Sequence, residues 1–225
     1  ATEQALPSKQ YHVLDWTMAG CPPLLGLNST DMSSRCKQHV NRFFEQQKQL
    51  PRDVPILLVA RYSNYIEGPT EADLQKKAFV PELYLGKTPH ASRTAAFYQE
   101  MDTAVVQTAC TLAQYRPVYL LKPIPEMNEN VPKYLLKRHW LGLDAQVQLS
   151  KADYLKRHQR ILRSMQQAHQ QCGVKLLDPA AILCTKQACL SSDAQGRPYY
   201  FDDDHLSLYG AEQLRPVFKT MFAIQ

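Results

Sequence analysis

The densest run of chemically capable residues is Tyr199-Tyr-Phe-Asp-Asp-Asp-His-Leu-Ser-Leu-Tyr-Gly-Ala211. An acid three positions before a histidine, in a turn, can set its carboxylate against one imidazole nitrogen. That contact fixes the tautomer and leaves the other nitrogen free to act as a base. Asp202 has this spacing to His205, whereas Asp203 and Asp204 stand too close in sequence to reach round easily. Two other readings use the same residues. They can form an acidic cap at a helix N-terminus with His205 on the surface, or Asp202, Asp204 and His205 can be metal ligands. The reading carried forward is His205 as base with Asp202 as its orienting acid, and with no metal and no cofactor.

The six cysteines are the second chemical signal. Cys21 and Cys36 bracket a Pro-rich loop, Cys184 and Cys189 bracket a short step, and Cys110 and Cys172 sit in helical patterns. An even count with two close pairs fits an oxidising compartment, although many pairings are open; reduced core cysteines in a cytosolic protein are the alternative. No C-x-x-C occurs and no second Cys/His pair has ligand spacing, which argues against zinc.

These residues need a scaffold. The chain has 225 residues, 44% hydrophobic and 21% charged, which suffices for one sizeable core. The apolar content and a net charge of only +5 argue against disorder, and 8 glycines exclude collagen-like repeats. The longest clean apolar run, Pro55 to Ala60, is far short of the roughly 20 residues that a spanning helix requires. Ala1-Thr-Glu-Gln is polar and has no apolar stretch of the kind a signal peptide carries. The charge is mildly basic, yet no basic motif of a nucleic-acid reader is present, so no nucleic-acid partner is expected.

Strands are expected at Tyr11–Thr17, Val54–Tyr62, Pro117–Leu121 and Val174–Asp178. The second is a near-continuous apolar run, as in a buried parallel strand. Helices are expected from Ser29-Thr-Asp to about Gln49, from Ala95 to Tyr115, from Ser150 to about Gln171, and from Leu206 to Ala223. The second repeats Met101, Val105, Ala109 and Leu112 at helix period. Ser150 has Asp153 three positions on, a capping pattern. That third helix has Leu155, Ile161, Leu162 and Met165 as its apolar face and Lys156, Arg157, Arg160 and Arg163 as a solvated one, and Gly173 ends it. Leu208, Leu214, Val217 and Phe218 pack the last helix. Residues 63–96 and 123–149 read as long irregular insertions. Strand and helix in alternation give an α/β fold with a parallel sheet and helices on both faces, in a single domain spanning residues 1–225.

Asp-x-x-His-Leu-Ser directly before a C-terminal helix resembles the final block of the SGNH (GDSL-like) hydrolase superfamily. Ala19-Gly-Cys-Pro-Pro-Leu-Leu25, Cys36, Ile56-Leu-Leu-Val-Ala-Arg-Tyr62 and Phe201-Asp-Asp-Asp-His-Leu-Ser207, in that order, resemble one branch of it. That branch is the SGNH domain fused behind a membrane-bound acyltransferase-3 domain, as in bacterial O-antigen O-acetyltransferases. The resemblance implies a flavodoxin-like three-layer α/β/α sheet with a Ser-His-Asp triad at the carboxyl ends of its strands.

In that family the serine lies in a Gly-Asp-Ser block, which this chain lacks, so the resemblance places the nucleophile and the first strand upstream of Ala1. The alternative is a homologue that has lost its serine. Gly20 matches the glycine whose N–H helps stabilise an oxyanion, though an ordinary turn glycine would look the same. Tyr62 takes the position of the usual asparagine, and Asn64 stands two residues late. Arg61 could bind acceptor or acetyl oxygens or make a structural ion pair. A Cys21–Cys36 bridge would pin the Gly20 loop, worth roughly 3 kcal/mol by loop closure, and Cys184–Cys189 would staple the approach to the Asp-His turn.

The function implied is acetyl transfer from serine to a sugar hydroxyl of a surface polysaccharide. The domain would be periplasmic, part of a bacterial inner-membrane protein with an N-terminal acyltransferase-3 partner domain. A stand-alone carbohydrate esterase and a catalytically inactive glycan-binding module are the alternatives, and the sequence upstream of Ala1 separates all three.

Overall fold

A computed structural model describes residues 1–30, 33–70, 80–143 and 147–222. Asp31 at the expected start of the first helix and Ala223 at the expected end of the last lie outside the described residues, as do residues 71–79 of the first insertion and 144–146 of the second. The chain divides into two compact units. One comprises residues 15–122 and 158–177, and the other residues 1–14, 123–157 and 178–225.

The first unit is built on three parallel strands in the order β2-β4-β6: β2 (Ile56–Leu58), β4 (Val118–Leu121) and β6 (Lys175–Leu177). A further pair in this unit, β1 (Asn28–Ser29) and β3 (Leu83–Tyr84), is antiparallel. Every residue of the central strand β4 is buried, which is why its sequence is an unbroken apolar run. Its helices are α1 (Ser33–Gln46), α2 (Tyr62–Glu67) and α3 (Ala95–Ala113). Thr94 caps α3 by accepting from the Phe97 N–H at 3.3 Å. Met101, Val105, Ala109 and Leu112 of α3 enter the core, as their spacing predicts. Arg116, just beyond α3, is buried and donates to the carbonyls of Gln47, Leu50, Pro51 and Val54. One guanidinium thus satisfies carbonyls of the 3-10 turn that follows α1 and of the turn into β2.

The second unit holds the antiparallel pair β5 (Gln148–Ser150) and β7 (Ala188–Leu190), and the helices α4 (Val131–Trp140), α6 (Ala180–Leu183), α7 (Leu208–Gln213) and α8 (Arg215–Lys219). Its core gathers Met127, Val131, Leu135, Leu149, Tyr154, Cys189 and Tyr200. The long helix α5 (Lys151–Cys172) gives its first turns to this unit and the rest to the other. Ser150 Oγ accepts from the Asp153 N–H at 3.0 Å and donates to its carboxylate at 2.6 Å, so the expected cap forms.

Several expectations need correction. No strand forms at Tyr11–Thr17; Tyr11, Val13 and Leu14 are exposed, and a segment that buries neither face has nothing to hold it in a sheet. The second insertion is not irregular, since α4 and β5 occupy it, and α2 and β3 lie within the first. Leu155 is exposed, while Tyr154, His158, Ile161, Met165 and Ala168 form the buried stripe of α5. The cationic face of α5 is not simply solvated: Arg157 pairs with the buried Glu126 at 2.7 Å, and Arg160 pairs with Asp102 at 2.8 Å and Glu67 at 3.2 Å. The last helix breaks at Leu214, where Pro216 opens α8, and Leu208 is exposed.

All six cysteines are paired: Cys21–Cys36, Cys184–Cys189 and Cys110–Cys172. The third bridge joins the two cysteines whose pairing is open in the sequence.

Candidate active site

Residues 199–207 make a tight reversal. Tyr200 and Leu206 form an antiparallel bridge, Phe201 N–H donates to the His205 carbonyl at 2.7 Å, and Ser207 N–H donates to Tyr199 at 2.9 Å. The buried Tyr200 ring anchors one arm in the core. Inside the reversal, Asp202 Oδ1 accepts from the main-chain N–H groups of Asp204 at 3.0 Å and His205 at 2.7 Å. Its other oxygen, Oδ2, lies 2.9 Å from His205 Nδ1. The i, i+3 spacing therefore does what the sequence suggested: one oxygen organises the backbone and the other meets the ring.

Asp204 corrects the expectation that it could not reach round. Its Oδ1 lies 2.6 Å from the same His205 Nδ1. The Asp204 residue is 4% exposed, whereas the His205 side chain is 61% exposed. Two carboxylates face Nδ1, an arrangement that favours the tautomer with the proton on Nδ1 and the lone pair on Nε2. Partial burial pushes the Asp202 carboxyl up, but the N–H groups of Asp204 and His205 and the imidazole outweigh it and hold the group below the usual carboxylate range.

The ligand-capable atoms of Asp202, Asp204 and His205 lie within 4.8 Å of one another, so these three could surround a cation. Nδ1 is itself within hydrogen-bonding distance of both carboxylates.

Two neighbours fix the reversal. Met127 N–H donates to the Asp203 carbonyl at 2.7 Å, and Val131 N–H, at the start of α4, donates to the Asp202 carbonyl at 2.9 Å. On the other side, Ser207 Oγ caps α7 by accepting from Gly210 N–H at 3.0 Å and donates to the Pro198 carbonyl at 2.9 Å. A Cβ added to Gly210 would lie 1.9 Å from the Tyr199 carbonyl oxygen. Only glycine lets α7 approach the strand arm this closely. Ser207-x-x-Gly210 at the helix start is the sequence signal for this glycine.

The remaining candidates lie in the unit built on the parallel strands. Gly20 sits at φ +74° in a turn closed by Cys21 N–H donating to Met18 at 3.2 Å. A Cβ there would meet nothing within 4 Å, so glycine is required by the sign of φ and not by crowding. Arg61, Tyr62 and Asn64 cluster at the carboxyl end of β2, where α2 begins. Tyr62 is buried in the core and burial pushes its phenol up, while Arg61 and Asn64 are half-buried. Each group of candidates is thus positioned within its own unit: Asp202 with His205 in one turn, and Arg61, Tyr62 and Asn64 at one strand end.

The same strand end carries a pair that the sequence did not disclose. Ser63 Oγ lies 2.7 Å from His158 Nδ1, with both residues buried. Burial this complete excludes a glycan, and the contact ties α2 to α5. Beside it, the Arg160 guanidinium stacks over Tyr98 at 4.0 Å while bonding Asp102 and Glu67.

A family model described as the SGNH domain fused to AT3 domains matches residues 1–220. Among solved structures, the chain is similar to the periplasmic domain of the lipopolysaccharide acetyltransferase of Salmonella ser. Paratyphi A, with a TM-score of 0.53 and 14% identity over 90% of this chain. The chain covers 66% of that neighbour's length. At this identity the likeness is one of fold. No curated protein sequence matches the chain.

Proposed function

Because the chain belongs to the SGNH domains of the kind fused to AT3 domains, we propose that it transfers an acetyl group to a sugar hydroxyl of a bacterial surface polysaccharide. The observation that carries this reading is the 2.9 Å contact between Asp202 Oδ2 and His205 Nδ1 in a turn pinned on both sides. In this proposal the nucleophilic serine and the first strand come from sequence upstream of Ala1, and residues 1–225 act as one SGNH-like domain. An N-terminal acyltransferase-3 domain of the same protein supplies acetyl groups from the inner membrane, and the SGNH domain works in the periplasm.

His205 Nε2 takes the serine proton as Oγ attacks the acetyl carbonyl, and Asp202 and Asp204 stabilise the imidazolium. The oxyanion is met by the N–H at Gly20, with Asn64 or Arg61 as further donors and Tyr62 packing the strand end. Collapse releases the donor's leaving group, which takes the proton back from His205. A sugar hydroxyl then attacks the acetyl-serine, His205 accepts the hydroxyl proton, and the serine recovers its own.

The test uses the full-length protein and a fluorophosphonate, which reacts with serines activated by a histidine. One upstream serine should label in the wild type and in Asp203→Asn, and labelling should be lost in His205→Ala. Undiminished labelling of His205→Ala would refute the assignment, and absence of any labelled serine would favour an inactive glycan-binding module.

A further inference from the structure

The helix α4 carries an apolar surface that its own core does not use. Val131 and Leu135 point inward and are buried. Leu136 is 70% exposed and Trp140 is 86% exposed, and Leu141 and Leu143 just beyond are exposed too. A tryptophan this bare, one helical turn from a bare leucine, is unusual on a soluble face. The same segment holds Lys133, Lys137, Arg138 and His139, with no acid from Val131 to Leu143. Lys137, Arg138 and His139 fall in the last turn of the helix, where cations also meet the negative end of the helix dipole.

Trp and Leu flanked by Lys and Arg on one short helix match the chemistry of an interfacial element. The indole and leucines enter the headgroup boundary while the cations meet lipid phosphates. We propose that α4 docks this unit onto an anionic phospholipid surface. An acidic protein groove would offer the charge but gives no reason for four exposed apolar side chains, Leu136 and Trp140 on the helix and Leu141 and Leu143 just past its end. The site stands on these exposures and charges alone and needs no particular chemistry at His205. Its first residue nonetheless holds the acid–histidine turn, through Val131 N–H to the Asp202 carbonyl at 2.9 Å, so docking would bring that turn to the lipid face.

The test is co-sedimentation of the 225-residue chain with vesicles of phosphatidylethanolamine containing 30 mol%, in round terms about a third, phosphatidylglycerol, against phosphatidylcholine vesicles. A Trp16→Phe background leaves Trp140 as the sole indole. Binding to the anionic vesicles should blue-shift Trp140 emission and weaken with salt. It should fall about tenfold or more in Leu136→Ser with Trp140→Ser, and likewise in Lys133→Glu with Lys137→Glu. Lys133, Leu136, Lys137 and Trp140 are exposed, and circular dichroism of each variant, the Trp16→Phe background included, checks folding. No binding to the anionic vesicles, or equal binding by the folded variants, would overturn the proposal. So would binding to native inner membranes but not to protein-free vesicles, which would identify a membrane protein as the partner.

Discussion

At the scale of single residues, two carboxylates meet one imidazole nitrogen. The spacing in Asp-x-x-His was readable, and Asp202 sits where that spacing put it. Asp204 was not readable, because the Asx turn around Asp202 folds the chain sharply enough for a residue adjacent to His205 to reach its ring at 2.6 Å. A shared Nδ1 predicts graded losses of transfer activity. Asp202→Asn and Asp204→Asn should each reduce it, and the double variant should reach the loss of about 10³–10⁴-fold seen when a triad loses its acid. Asp203→Asn should cost little, because its carbonyl, which Asn retains, makes the bond to Met127. Wild-type activity in Asp204→Asn would reduce that contact to packing. Asp202 also has a pH signature. Its carboxyl is held below the usual range in the folded chain, so it adds stability at neutral pH that is lost as pH falls through the lowered value. Urea midpoints at pH 7 and about pH 3 should therefore differ more for the wild type than for Asp202→Asn.

At the scale of elements, what was legible was what burial writes into sequence. The apolar run of β4 and the 3.6-residue period of α3 both gave the correct element, and Thr94 and Ser150 cap the helices they precede. What was not legible was written in exceptions. The insertion at 123–149 reads as irregular, yet Pro132 stands in the first turn of α4 under an Asn130 cap, where a missing N–H costs nothing. The apolar face expected for α5 included Leu155, yet Tyr154 and His158 take the buried stripe in its place. The strand expected at Val13 had the residue types but no surface to cover. Positioning of the acid–histidine turn depends on α7 meeting the Tyr199 arm, so Gly210→Ala should force backbone apart. A destabilisation of about 1–3 kcal/mol or more is expected from urea unfolding, together with reduced activity. A Gly210→Ala protein as stable as the wild type would show that the close approach is dispensable.

At the scale of the molecule, the disulfides fix three loops whose ends are 5, 15 and 62 residues apart. In the loop-closure model these are worth about 2, 3 and 4 kcal/mol respectively. Alkylation under denaturing, non-reducing conditions should find no free thiol, and Cys110→Ser with Cys172→Ser should lower stability more than Cys184→Ser with Cys189→Ser. Recovery of labelled Cys110 and Cys172 in good yield would contradict the third bridge.

The central claim, that His205 is the base of an acetyl-transfer site, is tested most directly in cells lacking the native gene and supplied with the full-length protein. The measurement is the acetyl content of the surface polysaccharide by proton NMR after matched expression. His205→Ala should leave acetylation at the level of the empty vector, while Asp203→Asn should restore it. Acetylation by His205→Ala near that of the wild type would contradict the account.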